Sequence, residues 1–131
     1  MSYRFWMSFV ALFFVAVLGA CRGIAPVYNV EKTPIVASKP NADLNDVAKA
    51  IERAGVGLGW QMRAVRPGMT VGTLALRGHT AAVDIDYDTK TYSIRYKGST
   101  NLDYDGNNIH SNYNGWIQNL DKAIKAQLTV L

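Results

Sequence analysis

Three carboxylates alternate along one short stretch, Asp84-Ile-Asp86-Tyr-Asp88. Alternate residues of a strand share a face, so Asp84 and Asp86 stand side by side and Asp88 enters the turn that follows. Paired carboxylates can move protons or hold a hard cation. An ordinary cross-strand charge pattern explains the same set, because Ser93 and Arg95 fall on the same face of the next strand. Acid–base work also needs a shifted pKa, and the sequence supplies no apolar surroundings for these groups.

A second oxygen-rich stretch runs Asn101-Leu-Asp103-Tyr-Asp105-Gly106-Asn107. It resembles the opening of a calcium-binding EF-hand loop, with oxygen ligands at alternate positions and a glycine for the bend. Asn101, Asp103, Asp105 and Asn107 are therefore the candidate metal ligands, with calcium the cofactor they would take. Two departures weaken the match: Asn101 stands where Asp belongs, and Asn112 where a bidentate Glu belongs. The competing reading is a polar turn in which Asp and Asn satisfy nearby backbone groups.

The remaining chemistry is sparse. His79 falls in a hairpin turn, and His110 sits just before a helix, where its imidazole can cap a backbone group or pack beside Trp116. Two histidines and a single cysteine do not make a transition-metal site, and one cysteine cannot form a disulfide within the chain. No serine lies in a G-x-S-x-G context, and no glycine run cradles a phosphate. The strands that carry Arg63, Arg66, Arg77, Arg95 and Lys97 can gather them on one surface, so Arg63, Arg77, Arg95 and Lys97 are the candidate binding residues. Acidic glycan, anionic lipid or an acidic protein patch would suit them; a solvated face of alternating charge is the plainer reading. With 14 Lys and Arg against 10 Asp and Glu in 131 residues, nucleic acid is not expected.

The elements that must position these groups follow from periodicity. Leu44, Val47, Ala48 and Ile51 recur at helical spacing and predict a helix over 43–54, capped by Asn41 or Asp43 and ended by Gly55. Four strands follow. A Gly78-His79 turn pairs Leu76 with Ala81 and Leu74 with Val83; an Asp88-Thr89 turn pairs Ile85 with Tyr92 and Val83 with Ile94. Both registers collect the apolar residues on a single face. A Pro67-Gly68 turn would put Gln61 and Arg63 on the core side, which predicts a bulge in the first strand. Ser111 opens a closing helix whose stripe is Tyr113, Trp116, Ile117, Leu120, Ile124 and Leu128. The fold class is α+β: a two-layer sandwich in which a four-stranded antiparallel meander carries an N-terminal and a C-terminal helix on one face, α-β-β-β-β-α.

The first 20 residues are a different polymer. All four Phe lie here (Phe5, Phe9, Phe13, Phe14), and Arg4 is the only charge. From Phe5 to Leu18 only Ser8 interrupts the apolar run, which is shorter than the ~20 residues a spanning helix needs. A positive start, a short apolar stretch and small residues at its close are the layout of a secretory signal peptide. Leu18-Gly19-Ala20-Cys21 resembles the lipobox of bacterial lipoprotein precursors. The resemblance implies cleavage before Cys21 and a diacylglycerol thioether on its sulfur, so Cys21 is the lipidation site. Arg22 rather than Asp after it implies the outer membrane, facing the periplasm. Residues 21–42, with Pro26, Pro34 and Pro40, are expected to be an extended tether, although Val27 to Val30 and Ile35-Val36 are able to dock. Residues 43–131 form the domain.

One further resemblance covers about residues 55–126. Tyr92-Ser-Ile-Arg-Tyr96-Lys-Gly-Ser99-Thr-Asn101-Leu102 and Ile109-His110-Ser-Asn-Tyr113-Asn114-Gly-Trp116-Ile117 are similar to segments of small proteobacterial envelope lipoproteins. It implies an envelope location and a compact α+β domain, and brings no activity or ligand. The functional expectation is a non-enzymatic binding or assembly accessory, held on the membrane by its lipid, with an envelope protein or glycan as partner. The alternatives are a small-ligand or weak calcium-binding module, and a hydrolase of cell-wall or lipid material.

Overall fold

A computed structural model describes residues 23–131; the segment read as a signal peptide, and Cys21 with it, lie outside the described residues. The elements in chain order are β1 (Ile24–Pro26), β2 (Val30–Pro34), α1 (Leu44–Gly57), β3 (Gln61–Arg66), β4 (Met69–Leu76), β5 (His79–Tyr87), β6 (Thr91–Thr100), β7 (Asn108–His110) and α2 (Ser111–Thr129). They make an antiparallel sheet of five strands, ordered β2-β6-β5-β4-β3, and a second sheet of two, β1-β7. The α+β class holds. The four-strand meander is present as β3 to β6, but the main sheet is one strand wider than expected.

The fifth strand comes from the segment read as a tether. Strand β6 would otherwise be an open edge, and Val30 has a core position to fill beside Ile94. A bulge between Val30 and Thr33, with Lys32 at φ 45°, breaks the alternation that would have marked this strand in the sequence. The Lys32 N–H freed by the bulge donates to the Ser93 hydroxyl at 2.9 Å, which accounts for a serine buried on the sheet face away from the helices. Asn114 holds the stretch before it, accepting from Tyr28 N at 2.9 Å and donating to Pro26 O at 2.8 Å. Asn29 Oδ1 accepts from Tyr96 N at 3.0 Å, and Ile35 N donates to Lys90 O at 2.8 Å. From Gly23 to Ile35 the chain is therefore sewn onto the domain.

Helix α1 starts as its sequence implies: Asp43 and Asp46 form a reciprocal capping box. Gly55 does not end it. The helix runs on to Gly57, and a Cβ at residue 55 would overlap the Met62 sulfur, so this glycine serves close packing of α1 on β3. Helix α2 is capped by His110 rather than Ser111, its Nδ1 accepting from Asn112 N at 3.2 Å. Both helices cover one face of the main sheet. Val47, Ala50 and Ile51 of α1 and Tyr113, Ile117, Leu120, Ile124 and Leu128 of α2 meet Leu74, Ala81, Val83, Ile85, Tyr92 and Ile94 in a single core. Trp60, Tyr87, Tyr92 and Tyr113 supply its aromatic bulk.

The hairpin registers differ from expectation by two residues. Leu76 pairs with His79 and Leu74 with Ala81, because Arg77 (φ 51°) and Gly78 (φ 77°) form the turn. Both central residues at positive φ match the right-handed twist of the strands. Likewise Tyr87 pairs with Tyr92 and Ile85 with Ile94, the turn being closed by Asp88. A slip of two preserves which face each side chain occupies, so the core set survives the change. The bulge expected in the first strand falls between Ala64 and Arg66 and turns Met62 toward the core.

Candidate functional site

The sheet face turned away from the helices holds most of the sequence candidates. Strand pairing sets Arg63, Val71, Asp84 and Arg95 in one row across β3, β4, β5 and β6. Arg95 is engaged from two sides. Its Nε and Nη2 donate to Glu31 at 2.9 to 3.2 Å, and its Nη1 donates to Asp86 at 2.8 Å. This fork holds the Glu31 carboxyl below its ordinary value and raises the guanidinium further above its own. Lys97 lies 3.3 Å from Asp84 Oδ1, an atom sealed from water with no hydrogen bond among the described residues. Asp88 closes the turn: its Oδ1 accepts from Lys90 N and Thr91 N at 2.7 Å each, and these bonds lower its pKa. The three alternating carboxylates thus serve three separate tasks, two ion pairs and one turn.

The four basic candidates do not form one free cationic patch. Arg95 and Lys97 are matched by carboxylates. Arg63 stands on the edge strand β3, and Arg77 occupies the β4–β5 turn; neither has an ion pair among the described residues.

The oxygen-rich loop closes on itself. Asp105 Oδ1 accepts from Asn107 N at 2.9 Å and Asn108 N at 2.8 Å, which depresses the Asp105 pKa. Asn101 donates from Nδ2 to Gly78 O at 2.8 Å, and its carbonyl lies 2.7 Å from His79 Nδ1. Asn101 (φ 58°) and Asp103 (φ 53°) both take left-handed backbone. Turn closure and docking on the neighbouring hairpin therefore occupy two of the four proposed ligands. Among the described residues no three carboxylate, histidine or cysteine side chains converge.

Two features carried no strong mark in the sequence. The first is a buried polar pair: the Tyr92 hydroxyl donates to Asp121 Oδ1, and Lys125 Nζ reaches Asp121 Oδ2 at 3.0 Å. Burial and the adjacent carboxylate push the Tyr92 phenol well above its ordinary range. A signal existed, since Asp121 stands four residues after Ile117 and so on the apolar stripe of α2. The second is a groove of about 460 Å³ between α1 and the β3–β4 hairpin. Leu44, Ala48, Ala64, Val65, Pro67 and Tyr87 line it, with Arg66 at the rim. A polar recess of about 390 Å³ adjoins it across Arg66, Pro67 and Tyr87, and there Lys32 and Arg95 face Asp86 and Asp88. Nothing in the sequence joins Leu44 to Pro67 and Tyr87; the fold alone brings them together.

No protein-family model matches the chain, and neither a curated protein nor a solved structure matches it. Among the described residues no helix is long and apolar enough to cross a membrane. The class defined is therefore architectural, a two-layer α+β domain with an apolar groove at one end of its sheet.

Proposed function

We propose that the chain is a lipid-anchored protein of the bacterial envelope, attached through Cys21 to the outer membrane on its periplasmic side. Its domain binds another envelope component and acts as an accessory rather than an enzyme. The observation that carries the binding reading is the groove between α1 and the β3–β4 hairpin. Its walls are mostly apolar, Asn45 and Arg66 being the polar exceptions, and Arg66 has no ion pair among the described residues. An apolar wall favours a protein segment over a glycan, whose hydroxyls would lose their water partners there. A partner segment with one apolar side chain beside a carboxylate fits both features.

The test is photo-crosslinking in intact cells from a benzoylphenylalanine at Val65, which is 44% exposed in the groove wall. One dominant adduct is expected, lost when Cys21→Ala displaces the protein and reduced when Arg66→Glu reverses the rim charge. A folded, lipidated protein that forms no adduct from this position overturns the binding reading.

A further inference from the structure

We infer that the domain sits directly on the phospholipid surface, on the end formed by β1–β7, the β4–β5 turn and the loop at Tyr104, and presents its groove at the opposite end. This inference rests on the lipid anchor at Cys21 proposed above.

The folded domain begins almost at the acylated position. Gly23 O accepts from Ser111 N at 2.9 Å, and Ile24 pairs with His110. Cys21 precedes Gly23 by two residues, which span at most ~7 Å of extended chain. No spacer of the length assigned to residues 21–42 remains, since those from Gly23 to Ile35 are bonded to the domain. An acyl chain in the bilayer therefore holds Gly23 within roughly a headgroup layer of the lipid, taking ~5–10 Å as the depth of the headgroup–acyl boundary.

Hydrogen bonds trace what else lies at this end. His110 N donates to Leu102 O at 2.8 Å, and Asn101 is bonded to both His79 and Gly78. The path runs from Gly23 through α2's first residue and the loop to the Arg77-Gly78 turn. Three of the exposed large apolar side chains are on these segments: Ile24 (52%), Leu76 (43%) and Tyr104 (42%). Arg77 stands beside them without an ion pair among the described residues. Asp103 and Asp105 share the loop, so charge does not drive the seating; the short linker and the apolar side chains do.

Strand direction then places the groove. β5 starts at His79, beside the membrane end, and finishes at Tyr87, in the groove wall. Its length corresponds to roughly 27 Å at ~3.3 Å per residue. Tyr87 and the Pro67-Gly68 turn are thus carried away from the lipid toward a partner in the periplasm.

The experiment uses the full lipidated protein in phospholipid nanodiscs doped with a gadolinium-chelating lipid, read by amide NMR. The lipid on Cys21 is verified by mass spectrometry of the same sample. The expected result is loss of the Ile24, Leu76, Gly78 and Tyr104 amide signals, while Val65, Gly68 and Tyr87 keep theirs. Loss of the Val65, Gly68 and Tyr87 signals instead, or uniform attenuation with Cys21 acylated, overturns the seating and leaves the anchor standing. An unmodified Cys21 overturns the anchor and the seating together.

Discussion

Two polar assemblies of similar composition lie on opposite sides of the sheet. On the open face Arg95 joins Glu31 and Asp86; on the helix face Tyr92, Asp121 and Lys125 meet beneath α2. Arg95 and its two carboxylates are each more than a third exposed, whereas Tyr92 is 1% and Asp121 8% exposed. Water competes for every bond of the first assembly; in the second it reaches the half-exposed Lys125 but not the Tyr92–Asp121 bond. The contrast teaches that the more elaborate hydrogen-bond network is the weaker contributor, because burial sets what a polar contact is worth.

The largest effect that sharpens this contrast is alkaline. Tyr92 and Tyr113 are held protonated far above the ordinary 10.0 of an unfolded tyrosine, chiefly by burial. Their contribution is fully present below pH 10 and is lost as pH rises, because the unfolded chain ionises first. Each group costs about 1.4 kcal/mol per pH unit above that point, or about 3 kcal/mol for both by pH 11. Urea unfolding at pH 9 and pH 11 measures it, and Tyr113→Phe should remove close to half of the difference. Equal stability at the two pH values breaks the comparison.

Asp121→Ala comes next. It strands the Tyr92 hydroxyl in the core and should destabilise by about 2 kcal/mol, read as a lowered urea midpoint at neutral pH. Tyr113→Phe should act in the opposite direction. The Tyr113 hydroxyl is buried with no partner among the described residues, so its removal relieves a cost of about 1 kcal/mol. A loss of stability in that variant would mean that the hydroxyl has a partner in solution.

Arg95→Ala is expected to cost at most ~1 kcal/mol, with the loss shrinking in 1 M salt. Smallest is the acid effect of Glu31. Its carboxyl is depressed in the folded protein, so its contribution is present above the unfolded value of 4.5 and fades as pH falls through the lower folded value. Glu31→Gln should flatten the acid limb of a stability–pH curve by a few tenths of a kcal/mol, in line with an exposed pair. An Arg95→Ala effect as large as that of Asp121→Ala would overturn the ranking by burial.

Legibility of the fold followed the range of the interactions involved. The Asp43 cap, the α2 stripe and the inward set Ala81, Val83 and Ile85 are each written within a few neighbouring residues. The two-residue error in both hairpins has a simple cause: alternation reports parity, and Arg77-Gly78 and Gly78-His79 turns give the same parity. Strand β2 escaped because its bulge at Lys32 and terminal Pro34 erase the period, and its pairing partner lies some sixty residues away. Of the candidate site residues, the Asp84–Asp86–Arg95 neighbourhood was readable from cross-strand position. That Glu31 would complete it was not, since the sequence around Glu31 reads as a spacer.

The amino-acid sequence alone determined the α+β class, the two amphipathic helices and the face of the sheet they cover, because each depends on local periodicity that a short slip cannot disguise. Only the tertiary structure decided that residues 24–26 and 30–34 belong to the sheets, that Asp105 closes its own turn, and that Leu44, Ala64 and Tyr87 share a groove. Those outcomes depend on contacts between residues far apart in the chain, where the free energy of a pairing comes from the partner's position and not from any pattern the segment carries itself.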